Sequence, residues 1–133
     1  KSINIAKWNI YMVALADCTL FTYSYLISEK NLKENDCTEI YLDIIEKEKA
    51  NGLSDEVFLK AKKEFLSRYE KIDFHKYYLD NPFKESCLAL YDWAPIADEL
   101  KILDKKIVIN SIRLKWNLKI DEFKNLTKNL NFN

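Results

Sequence analysis

The chain has 133 residues, 48% of them hydrophobic and 14% aromatic, enough to bury the core of one domain and to exclude a disordered tail. One glycine and two prolines are too few for the turns of a sandwich, a barrel, a Rossmann crossover or a phosphate-binding glycine loop, so composition predicts an all-α fold. Twenty-one basic and twenty-one acidic side chains cancel, which removes the electrostatic footprint of a dedicated nucleic-acid binder.

In chain order, Ile3, Ala6, Ile10, Val13, Ala14 and Asp17 recur at steps of three and four and predict a first helix whose apolar stripe ends on an acid. The stretch from Trp8 to Ile27 carries Asp17 as its single charge and is long enough to cross a bilayer. An aspartate at the centre of a span costs about 2.5–3.5 kcal/mol, so a core helix pair is the preferred reading. A second helical run, Thr22 to Lys33, follows with no Gly or Pro to divide it from the first. Asp36 and Glu39, in a D-x-x-E arrangement, predict side-chain caps for a helix reaching about Ala50, with Ile40, Tyr41, Ile44 and Ile45 buried and Asn51-Gly52 as its stop. Ser54 caps the next helix, Asp55 and Glu56 suit its positive end, and Leu53 with Phe58 forms a hydrophobic staple. Phe58, Ala61, Phe65 and Tyr69 carry its buried stripe.

An aromatic connection holding Phe74, His75, Tyr77 and Tyr78 reads as a short helix capped by Asp73, or as a packed corner around a lone histidine. Asn81-Pro82 reads as a cap with proline at the first helical position, and Phe83, Cys87, Tyr91 and Ala94 face one way until Pro95 kinks or closes the helix. After a loop at 99–102, Asp104 caps a last long helix with Val108, Ile109, Ile112 and Trp116 on its apolar face and Asn117 as terminator. Asp121 opens a short tail helix with Phe123, Leu126 and Leu130. The expected architecture is a single all-α domain over residues 1–133, a compact bundle of about six to eight short helices. Lys1 stands where a start methionine would, which reads as a domain excised from a longer protein or a processed product.

Cys18, Cys37 and Cys87 are an odd number without C-x-x-C spacing, which predicts reduced thiols in a cytoplasmic protein. His75 is the only histidine, leaving no second imidazole for a zinc site and none to spare for a triad. With no nucleophile, base pair or cofactor fingerprint to nominate, the expectation is a protein that is not an enzyme and has no small-molecule substrate. Charge is uneven: residues 29–98 hold eleven basic and sixteen acidic groups, net −5, and residues 99–133 hold eight and four, net +4. Glu34, Asp36, Glu39, Asp43 and Glu46 have spacings that gather cations, but Lys47 and Lys49 follow and a solvated face explains them. Lys101, Lys105, Lys106, Arg113, Lys115 and Lys119 with Trp116 either meet phosphates or an anionic lipid surface or simply point at water.

Two segments look alike: Val13-Ala14-Leu15-Ala16-Asp17 and Ala94-Pro95-Ile96-Ala97-Asp98, 81 residues apart, each with an apolar helix running into Ala-Asp. Ile96-Ala97-Asp98-Glu99, then Asp104, the helix to Trp116 and Asn117-Leu118-Lys119-Ile120-Asp121-Glu122-Phe123 resemble the closing third of the TerB-like (tellurite-resistance) helical domain. That family has an Ala-Asp-Gly turn, a later acidic residue, an amphipathic helix and a Leu-Gly-x ending that closes on Glu-Phe. The resemblance covers most of the chain, with Ala16-Asp17 at the first turn of the family's pseudo-repeat. It implies that the acidic residues of the two turns meet and bind a divalent metal, here Asp17, Asp98, Glu99 and Asp104 with Ca²⁺ or Mg²⁺. Cys18 and Glu99 stand where glycine is usual and Thr22 to Tyr25 lack the expected acids, while calcium wants six to eight oxygens, which implies a weak or degenerate site. Asp17 and Asp98 as simple caps of neighbouring helices is the competing reading.

The resemblance implies a non-enzymatic stress-response or signalling module that binds a protein partner, with oligomeric state left open. The alternatives are a ligand-free structural protein–protein interaction domain and a basic-surface adaptor for anionic membrane or nucleic acid.

Overall fold

From Ser2 to Glu29 the chain meets neither glycine nor proline, and in the computed structural model, which describes residues 2–93 and 105–133, it forms one helix of 28 residues, α1. The two runs expected around Asp17 and Thr22 are therefore a single element, and the turn expected at Ala16-Asp17 is mid-helix. Trp8, Met12, Ala16 and Leu20 are buried on one side of α1, Asp17, Phe21, Ser24 and Tyr25 on another. The expected stripe through Ile10, Val13 and Ala14 is only half-buried, because α1 runs through the middle of the molecule and is covered on more than one side. By length and composition it would also cross a membrane, and 44% of its most apolar window is buried here.

Helix α2 (Cys37–Lys47) buries Cys37, Tyr41 and Ile45, one side chain per turn, and leaves Ile40 exposed, correcting the expected stripe by one residue at its start. The D-x-x-E cap also fails: Asp36 makes no capping bond and instead accepts from the Tyr23 hydroxyl at 2.5 Å, while the Cys37 amide donates to Asn35 Oδ1. A 3-10 turn, Glu48–Asn51, ends at Gly52, whose φ of 104° is the left-handed stop the sequence predicts. Helix α3 (Asp55–Lys71) opens as expected, with the Val57 amide donating to Ser54 Oγ at 3.2 Å and Leu53 and Phe58 both buried.

Between α3 and α4 the chain forms a 3-10 turn, Tyr77–Leu79, and the Asp73 carboxylate accepts from the His75 amide. Asn81 takes a left-handed φ of 45°, so Pro82 and Phe83 form a turn and α4 (Lys84–Trp93) starts later than the Asn-Pro pair suggests. The last described helix, α5 (Lys105–Leu126), runs through Asn117 and Asp121 without a break, so the separate tail helix is corrected to one element. Five α-helices and no strands are present among the described residues: the all-α class holds, with fewer and longer helices than the six to eight expected. Ala94, the Pro95 kink, the turn at 96–99 and the Asp104 cap lie outside the described residues.

Two apolar cores flank α1. The larger joins Trp8, Met12, Ala16 and Leu20 to α2 and α3, with Tyr41 stacked on Phe65 at 4.0 Å. Burying Leu20, Tyr41, Ile45 and Phe65 stabilises the fold by roughly 1.5–3 kcal/mol each. The smaller is aromatic: Phe21, Tyr25 and Phe83 are buried under Trp116, Ile120 and Phe123 of α5.

Candidate functional site

Between the two cores lies a polar cluster built from four segments. Asp17 projects from the middle of α1 and is fully buried, and Arg68, in the last turn of α3, reaches its Oδ1 at 2.7 Å. Tyr77, in the 3-10 turn, accepts from Arg68 Nη2 at 2.8 Å and gives its single hydroxyl proton to the Pro82 carbonyl at 2.7 Å, so its 3.3 Å approach to Asp17 Oδ1 is a secondary contact. Ser86 supplies both its amide (2.8 Å) and its hydroxyl (2.5 Å) to Asp17 Oδ2.

Local sequence explains why α4 needs this partner. Its first bond of the helical i→i−4 kind runs from the Cys87 amide to the Phe83 carbonyl, so Phe83 occupies the capping position. A phenylalanine buried in the aromatic core has no side-chain oxygen to offer. Asp17 takes over the service from α1, capping the amide of the third residue of α4 and placing negative charge at the helix's positive end. Ser24 and Ser28 do the same kind of work two and three turns along: Ser24 donates to the Phe74 carbonyl at 2.6 Å and accepts from the Tyr78 amide, and Ser28 donates to the Phe74 carbonyl at 3.0 Å.

Burial pushes the Asp17 carboxyl above the usual carboxylate range, while Arg68 and the two Ser86 donors hold that rise back. Burial works against the Arg68 charge but Asp17 and Tyr77 more than restore it, and the Tyr77 phenol is pushed up by burial and by Asp17. Chemically the cluster is a satisfied ion pair. Three strong donors and the Tyr77 contact occupy the carboxylate, and His75 is exposed and takes no part in it.

Of the four expected metal ligands, Asp17 is thus engaged by Arg68 and Ser86, whereas Asp98, Glu99 and Asp104 lie outside the described residues. Among the described residues no group of three or more His, Cys, Asp or Glu is placed to hold a metal ion. Two acids of the α2 run are paired along the surface, Asp43 with Lys47 and Glu46 with Lys49 of the following turn, each at 3.0 Å. An open groove of about 290 Å³ borders the cluster, with Asn9, Lys60, Glu64, Arg68, Glu85 and Asp92 among its walls, charges of both signs side by side. The three thiols are unpaired in disulfides, as the spacing predicts, with Cys37 and Cys87 buried and Cys18 half-buried.

The second feature is the outer face of α5. No residue of this 22-residue helix is fully buried. Val108, Ile109, Ile112, Trp116, Ile120 and Phe123 are half-buried against the domain, as the sequence expects for the first two turns and Trp116. On the opposite side Ile107, Leu114 and Leu118 are 60%, 64% and 65% exposed. Their spacing of seven and four puts them on one stripe.

Sequence reasoning singled out Asp17 but missed Arg68, Tyr77 and Ser86. One signal was present: Arg68 falls on the buried Ala61–Phe65 side of α3, where an unpaired charge is not tolerated. It also missed the outer stripe, because the inward stripe accounts for the amphipathic pattern on its own. No family model matches the chain, and neither a curated protein nor a solved structure is significantly similar to it.

Proposed function

We propose that this chain is a non-enzymatic interaction module, of the stress-response or signalling kind that the TerB-like resemblance implies, whose polar cluster is a structural pin and whose working surface is the outside of α5. The observation that carries this reading is the stripe Ile107, Leu114 and Leu118, three large apolar side chains in water on a helix that already has a separate apolar face against its own domain. The cluster supports it by exclusion of a role: the Asp17 oxygens are occupied by protein donors, so a cation there must displace the Arg68 guanidinium. Melting tests the degenerate divalent site. Excess Ca²⁺ or Mg²⁺ against EDTA leaves Tm unchanged on this account, and a metal-specific rise abolished by Asp98→Asn reinstates a metal-responsive module.

A benzophenone side chain placed at position 114 and, as control, at the equally exposed Leu59 of α3 tests the surface. Saturable adducts in cells from position 114, competed by the unlabelled chain and absent from position 59, support the proposal. Equal adducts from both positions, or none, overturn it.

A further inference from the structure

We infer that the outer face of α5 docks on an anionic lipid surface; this rests on the reading above and names the partner's chemistry. The stripe Ile107, Leu114 and Leu118 is flanked by cations on both sides, Arg113 on one, Lys115 and Lys119 on the other, as the 100° step of the helix places them. Residues 105–133 hold seven basic and two acidic side chains, net +5, in a chain of net charge zero. Apolar side chains flanked by lysine and arginine are what a helix lying in the plane of a bilayer interface requires: the apolar groups enter the acyl boundary while the long cationic stems reach the headgroups. The two acids, Asp121 and Glu122, follow Leu118 and close the stripe, with Glu122 already 3.6 Å from Lys119, which confines the contact to the first three or four turns of α5.

Other occupants fit less well. A partner helix needs an apolar seam sustained over several heptads, and here Ser111, Asp121 and Asn125 interrupt the seam positions. A second copy would bring the same lysine edges together. Nucleic acid has no use for Ile107, Leu114 and Leu118, and no aromatic ring shares their stripe to stack on bases. A fluid lipid surface needs no register, tolerates a short stripe and rewards both the charge and the apolar groups.

The test is co-sedimentation of the full chain with vesicles of phosphatidylcholine alone and of phosphatidylcholine with about a quarter phosphatidylserine. Binding is expected to the anionic vesicles only, and to drop roughly tenfold as salt rises from about 0.05 to 0.3 M. Leu114→Ser with Leu118→Ser should abolish it while lowering Tm by only a few degrees, because both side chains are mostly exposed and the change costs mainly helix propensity. Should that pair disturb folding, Lys115→Glu with Lys119→Glu tests the charged edge alone and should also abolish binding. Failure to bind anionic vesicles at low salt, or binding that survives both pairs, overturns the inference. Equal retention by a short duplex DNA, insensitive to the leucine substitutions, overturns it in favour of a polyanion surface. Adducts at position 114 with protein and not lipid, together with no vesicle binding, would leave the interaction module standing and remove only the lipid.

Discussion

At the scale of single residues, the fold turns on a charge placed where charge is expensive. Asp17 is fully buried and its partner Arg68 is about a quarter exposed, so Arg68→Ala leaves a carboxylate with the Ser86 donors and the 3.3 Å Tyr77 contact but no countercharge. The expected loss is about 3 kcal/mol, at the low end for breaking a buried pair because water can reach the vacated side. Urea unfolding of Arg68→Ala, Asp17→Asn and the double variant checks this: the double should lose less than the sum by roughly 1–3 kcal/mol, and strict additivity would show that the two groups do not act as a pair. The thiols make a second residue-scale prediction. Burial, then the Asp17 charge, raises Cys18 to about 11, and burial is the main cause raising Cys37 to about 11. Both are therefore thiols at neutral pH, so the native chain should be alkylated far more slowly than the urea-unfolded chain at pH 8. Rapid native alkylation of Cys18 would contradict its placement. Asp17 was conspicuous in the sequence as the one charge in an apolar run, but its contacts to Tyr77 and Ser86 cross 60 and 69 residues, and no local pattern reports a contact at that range.

Among elements, the boundaries set by one residue's backbone were legible and those set by packing were not. Gly52 is the chain's only glycine and takes the left-handed φ that ends the Glu48–Asn51 turn, with nothing within 4 Å of an added Cβ. Gly52→Ala should therefore cost about 1–2 kcal/mol from backbone conformation alone, with no steric part. Ser54→Ala, which removes the α3 cap, should cost about 1 kcal/mol, and urea midpoints of the two variants check both values. Asn117 illustrates the opposite case. It has the chemistry of a terminator, yet Trp116 stacks on Phe83 at 4.4 Å, and Ile120 and Phe123 continue the same face onto Phe21 and Tyr25, so packing carries the helix through it. The D-x-x-E at Asp36 fails for a similar reason: the Tyr23 hydroxyl of α1 claims the carboxylate that the helix start would have used.

Across the whole molecule the chain divides by how deeply each part is tied in. Helices α1 to α3 share the larger core and α4 is fixed by Asp17, whereas α5 has no fully buried residue and rests on the aromatic core through Trp116, Ile120 and Phe123. The tail adds a few polar ties, the Phe132 amide to the Lys30 carbonyl at 2.9 Å and Asn31 to Asn131 at 3.1 Å, all at the exposed end of α1. Such a distribution makes α5 the element that opens first, because few buried apolar contacts must be broken to release it. Hydrogen exchange should show α5 amides exchanging well ahead of those in the middle of α1. Trp116→Ala removes the stacked ring and should speed exchange in α5 by about tenfold or more, the equivalent of ~1.4 kcal/mol, while amides of α1 near Leu20 change much less. Uniform acceleration in α1 and α5 would mean that the chain opens as one cooperative unit, and α5 would then be part of the rigid body rather than an arm held against it. The distinction bears on the proposed docking: a helix that opens on its own can adjust to a surface met by Ile107, Leu114 and Leu118, whereas one locked into the rigid body must present them as they stand.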